Sequence, residues 1–387
     1  MGKHSKFLVT VALFWFSQYV FIPFFTPHLT GLGIASTTAG LILGAYGFSQ
    51  MLLRIPFGLA ANRSGDHKAF MLFGFCCITA AGLILFFAGH PAAFLIARLL
   101  AGVASATWVS FTVFFTGLYP AGDTGKAIGT VMAANNLGTL LSYLFGIFFF
   151  NRMGGIGAMF AVSVVVGILG FALLLTVKDD RGRGAGGMTL RDFADVLKNR
   201  GLMLHSALAA LMQLIAFATV ITFTANYAKQ LGAGGSELAF LSVLTGASGV
   251  AGSYWLRTRW CARVPNKIQL AASFALTAAY CLVVPNTGSM ALIFVMQLIG
   301  GLGVAIAMAQ TMALALGGVP LSARSAAMGV YQCIYGLGMT FGPIVMGGLI
   351  DLSGQFTIAC YGIAAVCAAG FAWSLFAVRA KTDGAGR

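Results

Sequence analysis

The chain has 387 residues, of which 59% are hydrophobic and 8% charged, with a mean hydropathy of +0.91. Soluble domains carry about 25% charged residues, so this composition excludes a water-soluble globular fold and points to a membrane protein. The net charge of +14 would ordinarily suggest a nucleic-acid partner, but the basic residues fall in short loops between apolar runs, where they act as topology signals.

In chain order, apolar runs bounded by Gly, Pro or charge predict twelve membrane helices. They lie near 7–27, 36–60, 69–89, 92–118, 126–150 and 155–177, then near 201–227, 236–257, 267–284, 289–316, 325–350 and 356–378. The first run is longer than a signal-peptide core of about 7–15 residues, so a span is expected there rather than a cleaved leader. The one long polar segment, Lys178 to Arg200, separates the two sets. It starts Gly-rich, and Leu190, Phe193, Val196 and Leu197 carry helical spacing, so a short amphipathic helix over 189–199 is expected to lie on the membrane. The expected domains are a six-helix bundle over 1–177, a linker over 178–200 and a second six-helix bundle over 201–387.

Of the 23 Lys and Arg, 19 fall in the termini and in the loops on one side; Arg152 and Lys229 lie on the other, and Arg54 and Arg98 within spans. That asymmetry places both termini and the linker in the cytoplasm, in a multi-pass protein of the cytoplasmic (inner) membrane. The two halves also repeat at an offset of about 200 residues: Arg98-Leu99-Leu100-Ala101-Gly102 against Gln297-Leu298-Ile299-Gly300-Gly301, and Gly129 with Gly138 against Gly329 with Gly338. Paired six-span units of this kind are a layout of secondary transporters.

Around the second loop the sequence reads Gly58-Leu59-Ala60-Ala61-Asn62-Arg63-Ser64-Gly65-Asp66-His67-Lys68, with Asn62 to Gly65 expected as a tight turn. This resembles the signature Gly-x-Leu-x-Asp-Arg-x-Gly-Arg-Lys/Arg-Lys/Arg of the major facilitator superfamily. Arg98-x-x-x-Gly102 resembles that family's fourth-span arginine motif. Gly338-x-x-x-Gly342-Pro343-x-x-x-Gly347 resembles its exporter-associated glycine-proline motif, which in the family sits in the fifth span and here falls in the eleventh. The resemblance implies an all-α membrane protein with twelve transmembrane helices in two six-helix bundles related by pseudo-two-fold symmetry. It also implies gating by Gly58, Asn62, Arg63 and Gly65; Arg54, about two turns from the end of the second span, is expected to bond the inner-gate helices with them. Three departures stand out: Asn62 replaces the family's Asp, Asp66 replaces a basic residue, and Ser142 and Tyr143 stand where the repeat would put a Gly-Pro pair.

All nine acids fall in loops or at span ends, so no carboxylate is available in mid-membrane to carry a proton. Arg98 is the deepest charge, about two turns into the fourth span. Two readings stand: a side chain snorkelling or bonded to carbonyls, or a cavity arginine that binds an anion or gates coupling. By the resemblance, spans one, four, seven and ten line the cavity. The candidate substrate-binding residues are Gln18, Tyr19, Arg98, Trp108, Gln213, Asn226, Gln297 and Gln310. Tyr46, Gln50, Asn135, Asn136, Tyr331, Gln332 and Tyr335 join them from neighbouring spans. Each of the neutral ones serves helix–helix bonding equally well.

The seven cysteines lack metal or redox spacing and read as small buried hydrophobes, so neither metal nor cofactor is expected. A membrane enzyme would need a His, Asp or Glu cluster near the spans, and a channel would need neither the repeat nor the gate loop. The expectation is a monomeric secondary transporter for a small-molecule substrate, working by alternating access in the lipid bilayer. Efflux of an amphipathic, drug-like metabolite comes first, and uptake or exchange of an organic anion bound by Arg98 second. Coupling is to a proton, through Asp123 or Asp351 or carried by the substrate, or to substrate exchange.

Overall fold

The computed structural model describes residues 3–120, 123–178, 195–255, 258–320 and 323–377, and among these every regular element is helical. The first half runs α1 (Lys3–Tyr19), α2 (Ile22–Gly31), α3 (Ser36–Ser64), α4 (His67–Phe87), α5 (Pro91–Ala106), α6 (Trp108–Thr116), α7 (Thr124–Phe149) and α8 (Ile156–Leu175). The second runs α9 (Arg200–Ala218), a π-helical turn (Thr219–Phe223), α10 (Thr224–Gln230), α11 (Gly235–Trp255) and α12 (Arg259–Arg263). It continues with α13 (Asn266–Val283), α14 (Met290–Gly317), α15 (Arg324–Ser353) and α16 (Phe356–Ala377).

Helices are the expected answer in lipid, where each backbone N–H and C=O must find a partner within its own segment. Ten of them, counting α1–α2, α5–α6 and α9–α10 as joined spans, are long and apolar enough to cross a membrane. Helix α3 has 29 residues and α11 has 21, so both are of spanning length, but they are more polar through Ser49, Gln50 and Arg54 and through Ser236, Glu237 and Ser248. With these two, the helices of spanning length number twelve among the described residues.

Local chemistry sets the ends. Asp66 Oδ1 accepts from the Ala69 N–H at 2.9 Å, and Asn199 Oδ1 accepts from the Leu202 N–H at 3.0 Å, each satisfying a free donor of a first turn. Three spans are interrupted where the apolar run shows no gap. Pro23 has no N–H to give to the turn before it, and α1 stops at Tyr19. At Thr107 the hydroxyl bonds back to the Ala104 carbonyl at 2.7 Å, between α5 and α6. The π turn at Thr219–Phe223 interrupts the seventh span, with Thr219 Oγ1 bonded to the Ile215 carbonyl at 2.8 Å.

The chain forms two compact units. The first comprises Met1–Leu32, Ala45–Asp192 and Gly234–Phe240, and the second Gly33–Gly44, Phe193–Ala233 and Leu241–Arg387. Within each, glycines let backbones meet. In the first unit, a Cβ on Gly138 of α7 would strike the Ala12 carbonyl of α1; in the second, one on Gly338 of α15 would strike the Ala210 carbonyl of α9. Likewise Gly102 of α5 faces Tyr46 and Ser49 of α3, and Gly301 of α14 faces Thr245 and Ser248 of α11. Ser49 Oγ bonds the Leu99 carbonyl at 2.8 Å, and Ser248 Oγ bonds the Leu298 carbonyl at 3.0 Å. The sequence repeat is therefore a repeat of contacts. Gly129 takes no part, for a Cβ there meets nothing.

Two expectations change. The tight turn at Asn62–Gly65 is the last turn of α3, which continues to Ser64; only Gly65, at φ +66°, leaves the helix. Its turn is where glycine's freedom is needed. The linker helix expected over 189–199 lies largely outside the described residues, which show one helical turn at 195–197.

Candidate functional site

The site is built in the first unit from α1, α3 and α5. Tyr46, Gln50 and Arg54 follow one another at four-residue spacing and share a face of α3. Arg98 and Ser105, two turns apart, share a face of α5, and Trp15, Gln18 and Tyr19 share one of α1.

Ser105 joins the three helices. Its Oγ accepts from Gln18 Nε2 at 2.6 Å and pairs with the Tyr46 hydroxyl at 2.8 Å, and its carbonyl receives Arg54 Nη2 at 3.4 Å. Gln18 Nε2 also donates to the Ala101 carbonyl at 2.8 Å, a pure acceptor, which fixes which end of the amide faces α5. The Arg98 guanidinium stands over the Tyr46 ring, with Cζ 4.7 Å from its centroid, and 5.8 Å from that of Phe25. Tyr19 lies against Tyr46 and Tyr143 and beside Arg98. Trp15 meets Trp108 edge-on at 5.3 Å and Tyr19 at 5.7 Å, closing an aromatic wall.

Charge makes this cluster unusual. Arg98 and Arg54 are each only 4% exposed, and the Nε of each lacks a partner. No carboxylate forms an ion pair with either among the described residues, where the ion pair found is Lys198 with Asp195. Gln18 Oε1, Gln50 Oε1, Trp15 Nε1 and Ser110 Oγ are also buried without partners. Orphaned buried polar atoms are rare in folded proteins and call for an explanation. Among the described residues they all belong to the first unit.

The second unit holds the repeat-related position in the opposite state. Gln297 of α14, 1% exposed, donates from Nε2 to the Val220 carbonyl in the π turn and to Thr245 Oγ1, each at 2.8 Å. Its Oε1 accepts from the Tyr280 hydroxyl at 2.9 Å, which pairs with Thr224 Oγ1 at 2.6 Å. The amide thus ties α10, α11, α13 and α14 together and has a packing role.

Of the sequence candidates, Gln18, Tyr19, Tyr46, Arg98 and Trp108 meet in the first-unit cluster, with Gln50 on the same α3 face. On α7, Asn135 is half-buried and Asn136 exposed, outside this hydrogen-bonded group. Gln310 Nε2 donates to Asn266 Oδ1 at 2.6 Å, and the Tyr331 hydroxyl pairs with Thr311 Oγ1 at 2.9 Å and meets Tyr335 edge-on at 5.4 Å. Gln213, Asn226 and Gln332 are half-buried on α9, α10 and α15. In the gate stretch, Arg63 is exposed, Asn62 half-buried, and a Cβ on Gly58 would meet only Val109 Cγ1 at an ordinary 3.5 Å. Arg54, a gating candidate, joins the polar cluster through its Nη2, which donates to the Ser105 carbonyl. Lys68 was missed as an anchor: its Nζ caps the end of α8 through the Leu175 and Val177 carbonyls at 3.1 and 2.7 Å.

The chain matches the Major Facilitator Superfamily profile over residues 7–283 and 206–386. It belongs to that superfamily. The superfamily is one of membrane transporters, not enzymes. Among curated relatives of this superfamily chain, the MFS-type transporter ppzB of Metarhizium rileyi is 28% identical over 191 residues, 46% of this chain and 39% of ppzB. The efflux pump azaK of Aspergillus niger is 23% identical over 232 residues, 56% of this chain and 49% of azaK. The chain thus aligns with less than half of each of these relatives. A bacterial homologue of the human lysosomal transporter Spinster, solved inward-facing and unoccupied, superposes with TM-score 0.73 at 17% identity, over 97% of this chain and 93% of that one. A mutant of the nucleoside transporter NupG superposes with TM-score 0.76 at 13% identity, over 97% and 98%. At such identities the likeness is one of fold alone.

Proposed function

We propose that this chain is a secondary transporter that moves a small organic anion by alternating access, holding its acidic group at Arg98. One observation carries the reading: a buried guanidinium, over an aromatic ring, with no acid beside it. Arginine stays protonated in proteins, and an uncompensated charge in a span costs about 2.5 kcal/mol or more. A ligand carboxylate or phosphate removes that cost while bound, and the planar fork suits either group.

Outward transport is favoured by the Aspergillus niger relative, which is named an efflux pump. The aromatic wall of Trp15, Trp108 and Tyr19 supports a second reading, efflux of an amphipathic drug-like metabolite through the same unit. Both readings place the termini in the cytoplasm and the protein, as a monomer, in the cytoplasmic membrane. Gly58, Asn62, Arg63 and Gly65 act in gating, and coupling is to a proton or to exchange. In the antiport form, an anion carried one way returns as another or against a proton.

The deciding experiment uses purified protein in liposomes with an imposed pH gradient and a panel of labelled organic acids and lipophilic cations. Arg98→Ala should abolish acid flux without loss of folded protein, and Arg98→Lys should weaken oxyanions more than neutral solutes. Unchanged flux in Arg98→Ala would return the site to the neutral aromatic pocket.

A further inference from the structure

The first unit buries two guanidiniums, not one, and its hydrogen bonds link them. Arg98 lies on the Tyr46 ring, the Tyr46 hydroxyl meets Ser105 Oγ, and the Ser105 carbonyl receives Arg54. From Tyr46 to Arg54 is eight residues along α3, about 12 Å of helix, and from Arg98 to Ser105 is seven along α5, about 10 Å. Tyr46 and Arg54 thus sit at two levels along α3, and the contacts through Tyr46 and Ser105 join the two charges. Each is nine-tenths buried or more, each has an unpartnered Nε, and neither has an acid partner among the described residues. A single carboxylate at Arg98 leaves the charge on Arg54 unmatched.

We infer that the substrate is an organic dianion, one acidic group held by Arg98 and the other by Arg54. This rests on the anion reading of Arg98 and adds a second cationic contact, on a residue that its sequence neighbourhood had assigned to the gate. Ser105 is then a positioning residue, since it holds the Tyr46 ring under Arg98 and the carbonyl that directs Arg54. Gln50 lies between the two levels on α3, and its free Oε1 can accept from a hydroxyl or amine between the acidic ends.

The test is a binding series on the full chain in detergent, read by calorimetry and by the fluorescence of Trp15 and Trp108. Succinate, glutarate and adipate are titrated against butyrate, pentanoate and hexanoate, so that each pair differs by one carboxylate. A second charge-assisted contact should make at least one dicarboxylate bind about tenfold or more tightly than its partner. Arg54→Gln should erase that preference, whereas Arg98→Gln should weaken both classes. No dicarboxylate preference in the wild-type chain, or a preference that survives Arg54→Gln, overturns the proposal. If monocarboxylate binding still depends on Arg98, only the dianion fails. If no acid responds to Arg98→Gln, the anion reading falls with it. Should Arg54→Gln not purify as a single species, the wild-type series decides alone.

Discussion

The Tyr46 hydroxyl and Ser105 Oγ lie 2.8 Å apart, and this contact fixes α3 against α5 at the level where the Arg98 guanidinium rests on the Tyr46 ring. Ser105→Ala should leave both Gln18 Nε2 and the Tyr46 hydroxyl short of a partner. Each buried group so orphaned costs about 1–3 kcal/mol. Thermal unfolding in detergent should fall by several degrees, and anion affinity should drop with it. A variant as stable as the parent, with unchanged affinity, would show that Ser105 does not hold the site.

Two glycines two turns or less from the arginines should behave oppositely. A Cβ on Gly102 runs into the Tyr46 carbonyl and Ser49 Oγ, so Gly102→Ala must part α3 from α5, at about 1–3 kcal/mol. Gly58→Ala meets only Val109 Cγ1 at 3.5 Å and should leave stability nearly unchanged. Yield and thermal stability of the two proteins, purified in parallel, decide this.

The helices were legible because lipid demands long apolar runs, and Gly, Pro and charge mark their ends. Their internal breaks were not, although Pro23 was a visible cause. Hydropathy is continuous through Thr107 and the π turn, and what fixes those turns is hydroxyl back-bonding. Arg98 was legible as a charge in an apolar run. Arg54 was legible as a span charge that bonds a neighbouring helix, but its acceptor, the Ser105 carbonyl, is 51 residues away and left no local signal. Ser105 carried only a faint signal, two turns from Arg98. Gln297 was recognised as a buried amide, but its role depends on Thr245 and Val220, 52 and 77 residues away.

Arg98 and Gln297 occupy repeat-related positions and should fail in different ways. Gln297→Leu strands the Val220 carbonyl, Thr245 and Tyr280, and should lower stability by about 1–3 kcal/mol. Protein that survives should keep its substrate KM within about threefold. Arg98→Gln should do the reverse, with small stability loss and large loss of anion flux. A large KM change in Gln297→Leu would move that amide into the binding site.

The positive-inside bias of the loops predicts that both termini and the linker face the cytoplasm. Lys198 is well exposed, its side chain 78% accessible. A Lys198→Cys protein should resist an impermeant maleimide in intact cells and react once the membrane is permeabilised. Labelling from outside would invert the topology.

Asp351 at the end of α15 accepts from the Ser36 N–H at 3.1 Å and the Thr37 N–H at 2.7 Å, so it caps α3 from a distant part of the chain within the second unit. Gly347, one turn earlier, lets the Ser36 carbonyl approach, and Gly40 and Gly44 extend the contact to Pro343 and Thr340. The carboxylate thus satisfies two free donors of a first turn and sets negative charge at the positive end of the helix. Asp351→Asn keeps one acceptor and loses the charge, so it should cost about 0.5–2 kcal/mol; Asp351→Ala strands both N–H groups and should cost more. If Asp351 serves as a cap, gradient-driven flux in liposomes survives in Asp351→Asn, with stability lowered in that order. If it carries the proton instead, Asp351→Asn loses gradient-driven flux at unchanged stability and retains exchange of labelled for unlabelled substrate. The double contact to α3 favours the cap, and measuring flux and unfolding on the same preparations separates the two.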